Sequence, residues 1–307
     1  MTWNFEQVAG PFAGPLGGVV DVGDGMLFSS VADSRILKLD GASGEVSELR
    51  RFSSRANGLA RGPGGELYAC QEGSRRVVQL QPDGSATITA VTLNGSHHNH
   101  PSDAVVDSRG RIWFTDPHHE QTAFGPQIFP ALPHASVLRL ERGPNHRWLI
   151  KRLSFDTLHP RALALSPDEK TLYVAEGNTR PGSVRELRAY PIEDDLTLGT
   201  PDTLMSFGAD PRGPHRGIEG LCVAADGHVL ACGGWQRSGE GPCIYVLSPQ
   251  GKLVEVHALP DDAPARCAFG GANLASLYVT SGTGRLWRAD GIGHKGLKRV
   301  GNGPPAH

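Results

Sequence analysis

The sequence predicts an all-β protein in which one strand-turn-strand unit recurs around a common axis. Each unit has two short apolar strands joined by a Gly- or Asp-containing turn, and successive copies start roughly 40 to 60 residues apart, as in propeller blades. The 307 residues include 40 Gly and 23 Pro, which suits a chain rich in turns, and 38% are apolar, which is ample for a core. Six copies predict a six-bladed β-propeller, and we expect residues 1–307 to form a single domain.

The clearest copy lies within residues 104–115. Ala104–Val106 indicates a short strand, an Asp-Ser-Arg-Gly turn ends at Gly110, and residues 112–115 indicate a second strand. β-Branched and aromatic residues on both sides of turn residues are typical of a hairpin. Five further copies have the same order, and their first strands begin near Val19, Asn57, Arg161, Glu219 and Cys267.

The remaining strands of each blade are predicted from weaker apolar segments. Third strands are expected at 35–39, 76–80, 136–140, 188–190, 243–247 and 285–288. Residues 3–8 come too early for the first copy, so we expect this N-terminal strand to close the last blade and to remove an open sheet edge. No helix longer than a turn or two is predicted.

Two connections, residues 118–135 and 210–216, are long and rich in Pro. In a propeller, the loops before the first strand and after the second strand of each blade lie on one face. Both insertions are therefore expected to border one mouth of the central channel, where small-molecule sites are found.

Charge and composition exclude several classes of partner. A net charge of −2 without basic clusters argues against nucleic acid. No apolar run approaches the roughly 20 residues that span a bilayer. The first residues lack the basic and apolar regions of a secretory leader, so we do not expect secretion by a standard signal. The cysteines are odd in number and lack a Cys-x-x-Cys motif, which favours free thiols in the cytoplasm: Cys70, Cys222, Cys232, Cys243 and Cys267. The oligomeric state stays open.

Several motifs carry a family resemblance. They are Asn57-Gly-Leu-Ala, Pro101-Ser-Asp, Trp113-Phe-Thr-Asp-Pro, Ser166-Pro-Asp-Glu-Lys-Thr-Leu-Tyr-Val and Ala268-Phe-Gly-Gly. By these motifs, from about Gly14 to Trp287, the chain resembles the regucalcin/gluconolactonase (senescence marker protein) family. The resemblance implies a six-bladed propeller, a lactone hydrolase of carbohydrate or aromatic acid metabolism, and a divalent cation, calcium or zinc, at the central channel.

The chain departs from the family pattern at the positions that the resemblance assigns to the site. Leu16 or Gly17 replaces a Glu of blade one, Ser102 an Asn of blade three, Arg161 a ligand Asn of blade four, Glu219 a ligand Asp of blade five, and Arg266 an Asn of blade six. Asp103 matches the pattern. Because a guanidinium stays protonated and cannot bind a metal, Arg161 is incompatible with the usual cation. We expect its charge to replace the cation, with Glu219 as counter-ion and as the only matching ligand position.

Hydrolysis of a lactone needs a positive group at the carbonyl oxygen and a base that activates water. Arg161 and Arg266 can supply the first, or can hold a substrate carboxylate. The catalytic candidates are Glu219, Asp103 and His159, although a neighbouring Arg should lower the pKa of Glu219 and make it a poorer base. The substrate-binding candidates are Arg161, Arg266, Ser102, His100, Asn57 and His118.

Histidines form a second cluster around the predicted mouth. These are His97, His98, His100, His118, His119, His159 and His215. They can act as acids and bases or hold a relocated metal ion, but no fixed spacing indicates a metal site. His100 and His159 each lie two residues before a predicted channel position, which favours them.

The main hypothesis is a hydrolase that opens a lactone of an anionic or sugar-acid-like small molecule. One alternative is a non-catalytic propeller that has lost its metal and binds a small molecule or a protein, with the ion pair between Arg161 and Glu219 only plugging the channel. Another is a different reaction on the same fold, such as an isomerisation or a phosphotriester hydrolysis.

Overall fold

The computed structural model describes residues 2–118, 129–180 and 182–298. It contains six four-stranded antiparallel sheets, which are the six predicted blades. In the described part of the chain, the helical segments are two short 3₁₀ turns, Pro144–His146 and Ala272–Leu274. None of them is long or apolar enough to cross a membrane.

The strands of blades one to three follow the chain from the inner to the outer position. Blade one contains β2 (Leu16–Asp21), β3 (Gly25–Ser30), β4 (Arg35–Asp40) and β5 (Val46–Arg51); blade two contains β6 (Ala56–Arg61), β7 (Leu67–Gln71), β8 (Arg76–Leu80) and β9 (Ala86–Ile88). After a small hairpin of β10 (Thr92–Leu93) and β11 (Ser96–His97), blade three contains β12 (Ala104–Val106), β13 (Ile112–Asp116), β14 (Ser136–Arg142) and β15 (Trp148–Arg152).

Blades four to six continue in the same order. Blade four contains β16 (Pro160–Leu165), β17 (Thr171–Gly177), β18 (Arg185–Pro191) and β19 (Asp202–Ser206). A hairpin of β20 (Ala209–Asp210) and β21 (Gly213–Pro214) precedes blade five, which contains β22 (Ile218–Val223), β23 (Val229–Trp235), β24 (Ser238–Leu247) and β25 (Leu253–Ala258). Blade six contains β26 (Pro264–Gly270), β27 (Ser276–Ser281), β28 (Leu286–Ala289) and, as its outer strand, β1 (Phe5–Ala9).

The inner strands form a closed ring. Each of β2, β6, β12, β16, β22 and β26 contacts the next one along the chain, and β26 contacts β2. Six apolar clusters fill the spaces between neighbouring sheets. Because each sheet is covered on both faces, its strands are apolar on both sides: Trp113 packs toward blade four and the adjacent Phe114 toward blade two. The predicted six-bladed β-propeller is confirmed.

The N-terminal strand lies at the outer edge of blade six. β1 pairs with β28 in antiparallel register, with Phe5 opposite Ala289. Trp3 and Phe5 are buried in the cluster between blades five and six, and the Trp3 ring stacks on His257 at 3.8 Å. The first residues of the chain thereby connect to its last blade.

The two predicted insertions differ in how much of them is described. Residues 119–128, which include His119, lie outside the described residues. Segment 210–216 forms part of the hairpin of β20 and β21, where the Arg212 side chain donates to the carbonyl oxygen of Gly239 at 2.6 Å. The five cysteines are free thiols, and the sulfurs of Cys222 and Cys267 lie 3.4 Å apart.

Removal of the Phe5 side chain should weaken the closure between first and last strands. We expect Phe5→Ala to lower the free energy of unfolding by about 3 kcal/mol, because a buried phenylalanine leaves a cavity. The control is Phe52→Ala, whose ring is 79% exposed and whose loss should cost less than about 0.5 kcal/mol. Urea unfolding measures both, and equal effects would contradict the role of β1.

Candidate functional site

Irregular pairing marks the point where five inner strands reach the mouth of the channel. The register of β2 shifts between Leu16 and Val19, and that of β6 between Ala56 and Leu59. The same irregularity spans Arg161 in β16, Glu219 in β22 and Arg266 in β26. A bulge bends a strand and redirects its side chains. These bulges therefore place one residue of each of the five strands at a common level of the channel.

Arg161 and Glu219 form the predicted ion pair. A terminal nitrogen of Arg161 donates to Glu219 Oε1 at 2.9 Å, and the two side chains are 33% and 14% exposed. Nε of Arg216 lies 3.8 Å from the same oxygen. Burial disfavours the charged carboxylate, but the nearby guanidiniums of Arg161, Arg216 and Arg266 outweigh it and lower the pKa of Glu219 to about 2. Glu219 is therefore a counter-ion and a weak base.

Arg266 crosses the channel and joins four blades. It is 6% exposed. Its terminal nitrogens donate to Ser102 Oγ at 3.2 Å, to the carbonyl oxygen of Arg161 at 3.2 Å, and to the carbonyl oxygen of Glu219. Its Nε lies 3.6 Å from Asp103 Oδ2. Ser102 and Arg266 are thus bonded to each other and buried, so of the expected substrate-binding residues these two are occupied by the protein itself.

Asp103 lies beneath this layer of charge. Burial raises its pKa, and the Arg266 guanidinium partly offsets that effect. Its carboxylate accepts the backbone N–H groups of Ala104 at 3.1 Å and Leu163 at 3.4 Å. Asp103 and Arg266 line a cavity of about 740 Å³ that extends along the inner strands to the turns at the opposite end of the channel, whereas Arg161 and Glu219 do not line it. Asp103 is therefore buried next to Arg266, between the inner strands.

Asn57 belongs to a neighbouring polar group that the sequence did not identify. Its amide donates to Glu72 Oε1 at 2.7 Å, and the other oxygen of Glu72 lies 3.7 Å from Arg55. Glu72 follows directly after β7, just as Glu176 ends the corresponding apolar segment of β17. The sequence signal that could have identified Glu72 is the acidic residue at the end of the second strand of a blade. Both carboxylates also raise the pKa of Arg161, after Glu219, which has the larger effect.

His159 lies beside Arg161 at the mouth and is half-buried. Its backbone N–H donates to Glu176 Oε1 at 2.6 Å, which fixes this loop. Burial lowers the pKa of the imidazole, and the charges of Arg180 and Arg161 lower it further. His118 also affects that pKa and is itself exposed, whereas His100 is half-buried. His159 is thus a neutral imidazole next to a fixed cation.

Other predicted mouth histidines have structural contacts. His98 is fully buried, with its ring edge-on to Phe114 and Nε2 3.0 Å from the carbonyl oxygen of Ala90. The prediction that His98 faces the mouth is wrong, because the β10–β11 hairpin turns it into the core. His97 stacks on Phe129 at 4.3 Å. His215 lies 3.7 Å from Asp210 and packs against Gly239.

The residues at the channel do not fit the cation that the family resemblance implies. Leu16 is 2% exposed in the apolar cluster between blades six and one. A side chain at position 17 would place its Cβ 2.6 Å from Asn57 Oδ1, and one at position 18 would meet the backbone N of Leu59 at 2.4 Å. Blade one therefore offers no ligand at this level, and the Arg161 guanidinium already occupies Glu219.

Comparison with known proteins identifies the family of this chain. The family profile described as the SMP-30/gluconolactonase/LRE-like region matches residues 17–283. The chain belongs to this family. A 6-deoxy-6-sulfogluconolactonase from Pseudomonas putida is 27% identical over 83% of this chain and 78% of the relative.

Two solved structures have folds similar to that of this chain. A gluconolactonase from Xanthomonas campestris superposes with a TM-score of 0.77 at 28% identity, over 94% of this chain and 89% of the other. A calcium-binding protein from Agrobacterium tumefaciens, regucalcin, has a TM-score of 0.75 at 17% identity, over 98% of each chain, which supports the fold alone. The similarity extends over nearly the whole length of the chain.

The charge cluster makes a prediction about acid stability. Because the pKa of Glu219 falls from 4.5 to about 2 on folding, its stabilising effect is fully present above pH 4.5 and is lost as the pH falls toward 2. We expect Glu219→Gln to be less stable than the wild type by about 3 kcal/mol at pH 7, with the difference shrinking toward pH 2.5. Urea unfolding at a series of pH values measures this.

The matched control for that series is Glu240→Gln, which removes an exposed carboxylate of β24. Its stability should follow that of the wild type at every pH. A constant gap between wild type and Glu219→Gln from pH 7 to pH 2.5 would show that the loss reflects packing and not the charge of the carboxylate.

Proposed function

We propose that the protein hydrolyses the lactone of a sugar acid or a related anionic small molecule at the channel mouth, with Arg161 at the carbonyl oxygen. Family membership and the lactonases among its relatives support a lactone substrate. The observation that carries the proposal is the position of Arg161: a guanidinium one-third exposed at the mouth and fixed by a carboxylate with a pKa of about 2.

Arg161 has hydrogen-bonding capacity to spare. A guanidinium has five N–H donors, and among the described residues the Arg161 side chain makes one hydrogen bond, to Glu219. Three guanidiniums, those of Arg161, Arg216 and Arg266, lower the pKa of Glu219, and the carboxylates of Glu72 and Glu176 also act on Arg161. Donors fixed in advance and aimed at a developing oxyanion are a major source of catalysis. The donors of Arg161 that bind no described residue would also bind a negatively charged group of a substrate.

His159 is the best placed of the three candidate bases. Glu219 is too weak a base at a pKa of about 2, and Asp103 is 6% exposed and lies against the Arg266 guanidinium. The lowered pKa of His159 makes its imidazole neutral at physiological pH. A neutral imidazole beside the cation that receives the carbonyl oxygen can take a proton from a water molecule.

The proposed reaction needs only these side chains. His159 accepts a proton as water adds to the lactone carbonyl carbon, and the negative charge that develops on the carbonyl oxygen is stabilised by Arg161. When the tetrahedral intermediate collapses, the ring C–O bond breaks and the imidazolium returns its proton to the leaving ring oxygen. The product is a hydroxy acid, which loses its carboxyl proton to solvent.

The name of one relative supports a substrate with a negatively charged substituent. The 6-deoxy-6-sulfogluconolactonase takes its name from a lactone with a sulfo group. In this chain, Arg216, the last residue of segment 210–216, lies beside Glu219 with its side chain 12% exposed. We expect anionic lactones to be better substrates than neutral ones.

The second candidate is a binding propeller without activity. It is favoured by the paired state of the cluster, in which Arg266 bonds to Ser102 and Arg161 to Glu219. Such a protein would bind sugar acids at Arg161 but would not open lactones. Turnover measurements separate the two.

Turnover should depend on Arg161 and should not require a metal ion. We expect Arg161→Ala to lower kcat by about 10²- to 10³-fold, and Arg161→Lys to recover little, because an ammonium lacks the planar set of donors. A chelator should leave the wild-type rate unchanged. Proton release from glucono-1,5-lactone and its 6-phospho counterpart measures these rates, with Arg142→Ala, stacked on Trp148, as control.

Failure of the wild type to open any lactone while it still binds gluconate would favour the binding propeller. Loss of the rate on chelation, restored by calcium or zinc, would show that Arg161 does not replace a metal.

The acid limb of the pH profile should report His159. Because the base must be unprotonated, kcat should fall as the pH drops through a pKa below 6.5. We expect His159→Gln to lower kcat by about 10²- to 10⁴-fold and to remove that limb. His215→Gln, another half-buried mouth histidine, is the matched control and should keep the wild-type profile. An unchanged acid limb in His159→Gln would assign the base elsewhere.

A further inference from the structure

A second cluster of polar side chains lies far from the mouth, at the opposite end of blade five. Asp226 and His228 belong to the turn between β22 and β23, and His294 belongs to the segment after β28. Within residues 2–118, 129–180 and 182–298, this is the one group of three His, Cys, Asp or Glu side chains whose donor atoms all lie within 4.8 Å of one another. The proposed lactonase reaction does not use it.

The Asp226 carboxylate lies between the two imidazoles, with one oxygen against each. Asp226 Oδ1 lies 3.1 Å from His228 Nδ1, and Asp226 Oδ2 lies 3.1 Å from His294 Nδ1. The imidazole rings are 4.7 Å apart between centroids. Ligands bound at about 2.0 to 2.1 Å in a tetrahedron are separated by about 3.3 Å. Each oxygen of Asp226 is thus within about 0.2 Å of that separation from one imidazole nitrogen, and the donor atoms of all three residues lie within 4.8 Å of one another.

The cluster is held in place by the surrounding structure. His294 is 10% exposed at its side chain, and the ring of Trp3 packs edge-on against it. The backbone N–H of Ala225 donates to the carbonyl oxygen of Lys295 at 2.8 Å. Nδ1 of His228 is buried and has no hydrogen bond within the described residues, although it faces the Asp226 carboxylate. A buried imidazole nitrogen without a hydrogen bond, next to a carboxylate, can act as a ligand for a cation.

We propose that Asp226, His228 and His294 bind a divalent transition-metal ion, with Zn²⁺ as the reference. Two imidazoles and one carboxylate suit first-row transition metals, whereas calcium and magnesium prefer oxygen ligands alone. Asp226 is 49% exposed at its side chain, which leaves the metal open to water and exchangeable. The ion links the segment that follows blade six to the turn of blade five, which are otherwise joined through Ala224, Ala225, Lys295 and Gly296.

Titration of the tag-free, full-length protein with ZnCl₂ tests the site. We expect isothermal titration calorimetry to give one equivalent with a dissociation constant at or below 10 μM, and 100 μM Zn²⁺ to raise Tm by about 2 °C. Asp226→Asn and His294→Ala should each weaken binding at least 10-fold and abolish the Tm shift, while lactone hydrolysis stays at the wild-type rate. His146→Ala, which removes an exposed histidine, should bind like the wild type.

The visible absorption of bound Co²⁺ reports its ligands directly, and residues that only stabilise the fold would not affect that spectrum. Co²⁺ bound to two imidazoles and a carboxylate should give visible absorption bands in the wild type, absent in His228→Ala, and competed away by Zn²⁺ but not by Ca²⁺. Absence of binding by the wild type at 100 μM Zn²⁺ would overturn the proposal. Equal affinity in the wild type and in folded Asp226→Asn and His294→Ala would also overturn it, because the metal would then be bound elsewhere.

Discussion

The site depends on one buried guanidinium that spans the channel. The bulges that aim side chains at the mouth also take backbone carbonyls of the inner strands out of regular pairing. Arg266 satisfies two of these, at Arg161 and Glu219, and reaches Ser102 of blade three as well. A buried carbonyl without a partner is costly. Arg266 therefore supports the conformation that presents Arg161, and it does so from a different blade.

In the proposed reaction, a fixed organic cation in place of a metal ion changes how the catalytic work is divided. A metal ion both polarises a carbonyl and lowers the pKa of its bound water. A guanidinium can do only the first, so the proton of water needs a separate acceptor. The carboxylate next to Arg161 is unsuited to that role, because the charges that hold it also lower its pKa to about 2. The imidazole of His159, whose pKa those charges also lower, stays neutral and available.

Local patterns in the sequence predicted the fold and part of the site. The repeat of six strand-turn-strand units predicted the blades, and Arg161 with Glu219 was predicted as an ion pair, as the 2.9 Å contact shows. Glu72 was missed although its position at the end of a second strand was an available signal, and Arg216 was not singled out although it precedes Glu219 by three residues. His98 was misplaced because a two-residue hairpin strand reverses the direction of its side chain.

The energetics of burial bear on whether the cluster merely closes the channel. Apolar side chains of similar volume often replace a buried ion pair with no loss of stability, and sometimes with a gain. If the channel only needed to be closed, we would expect apolar side chains at the position of the ion pair. Such side chains, including Leu59, Leu163 and Leu221, line the cavity of about 740 Å³. Instead, Arg161 stays one-third exposed, and among the described residues its side chain makes one hydrogen bond, to a carboxylate that costs energy to bury. A plug does not require an exposed guanidinium with free donors, whereas the proposed oxyanion site does.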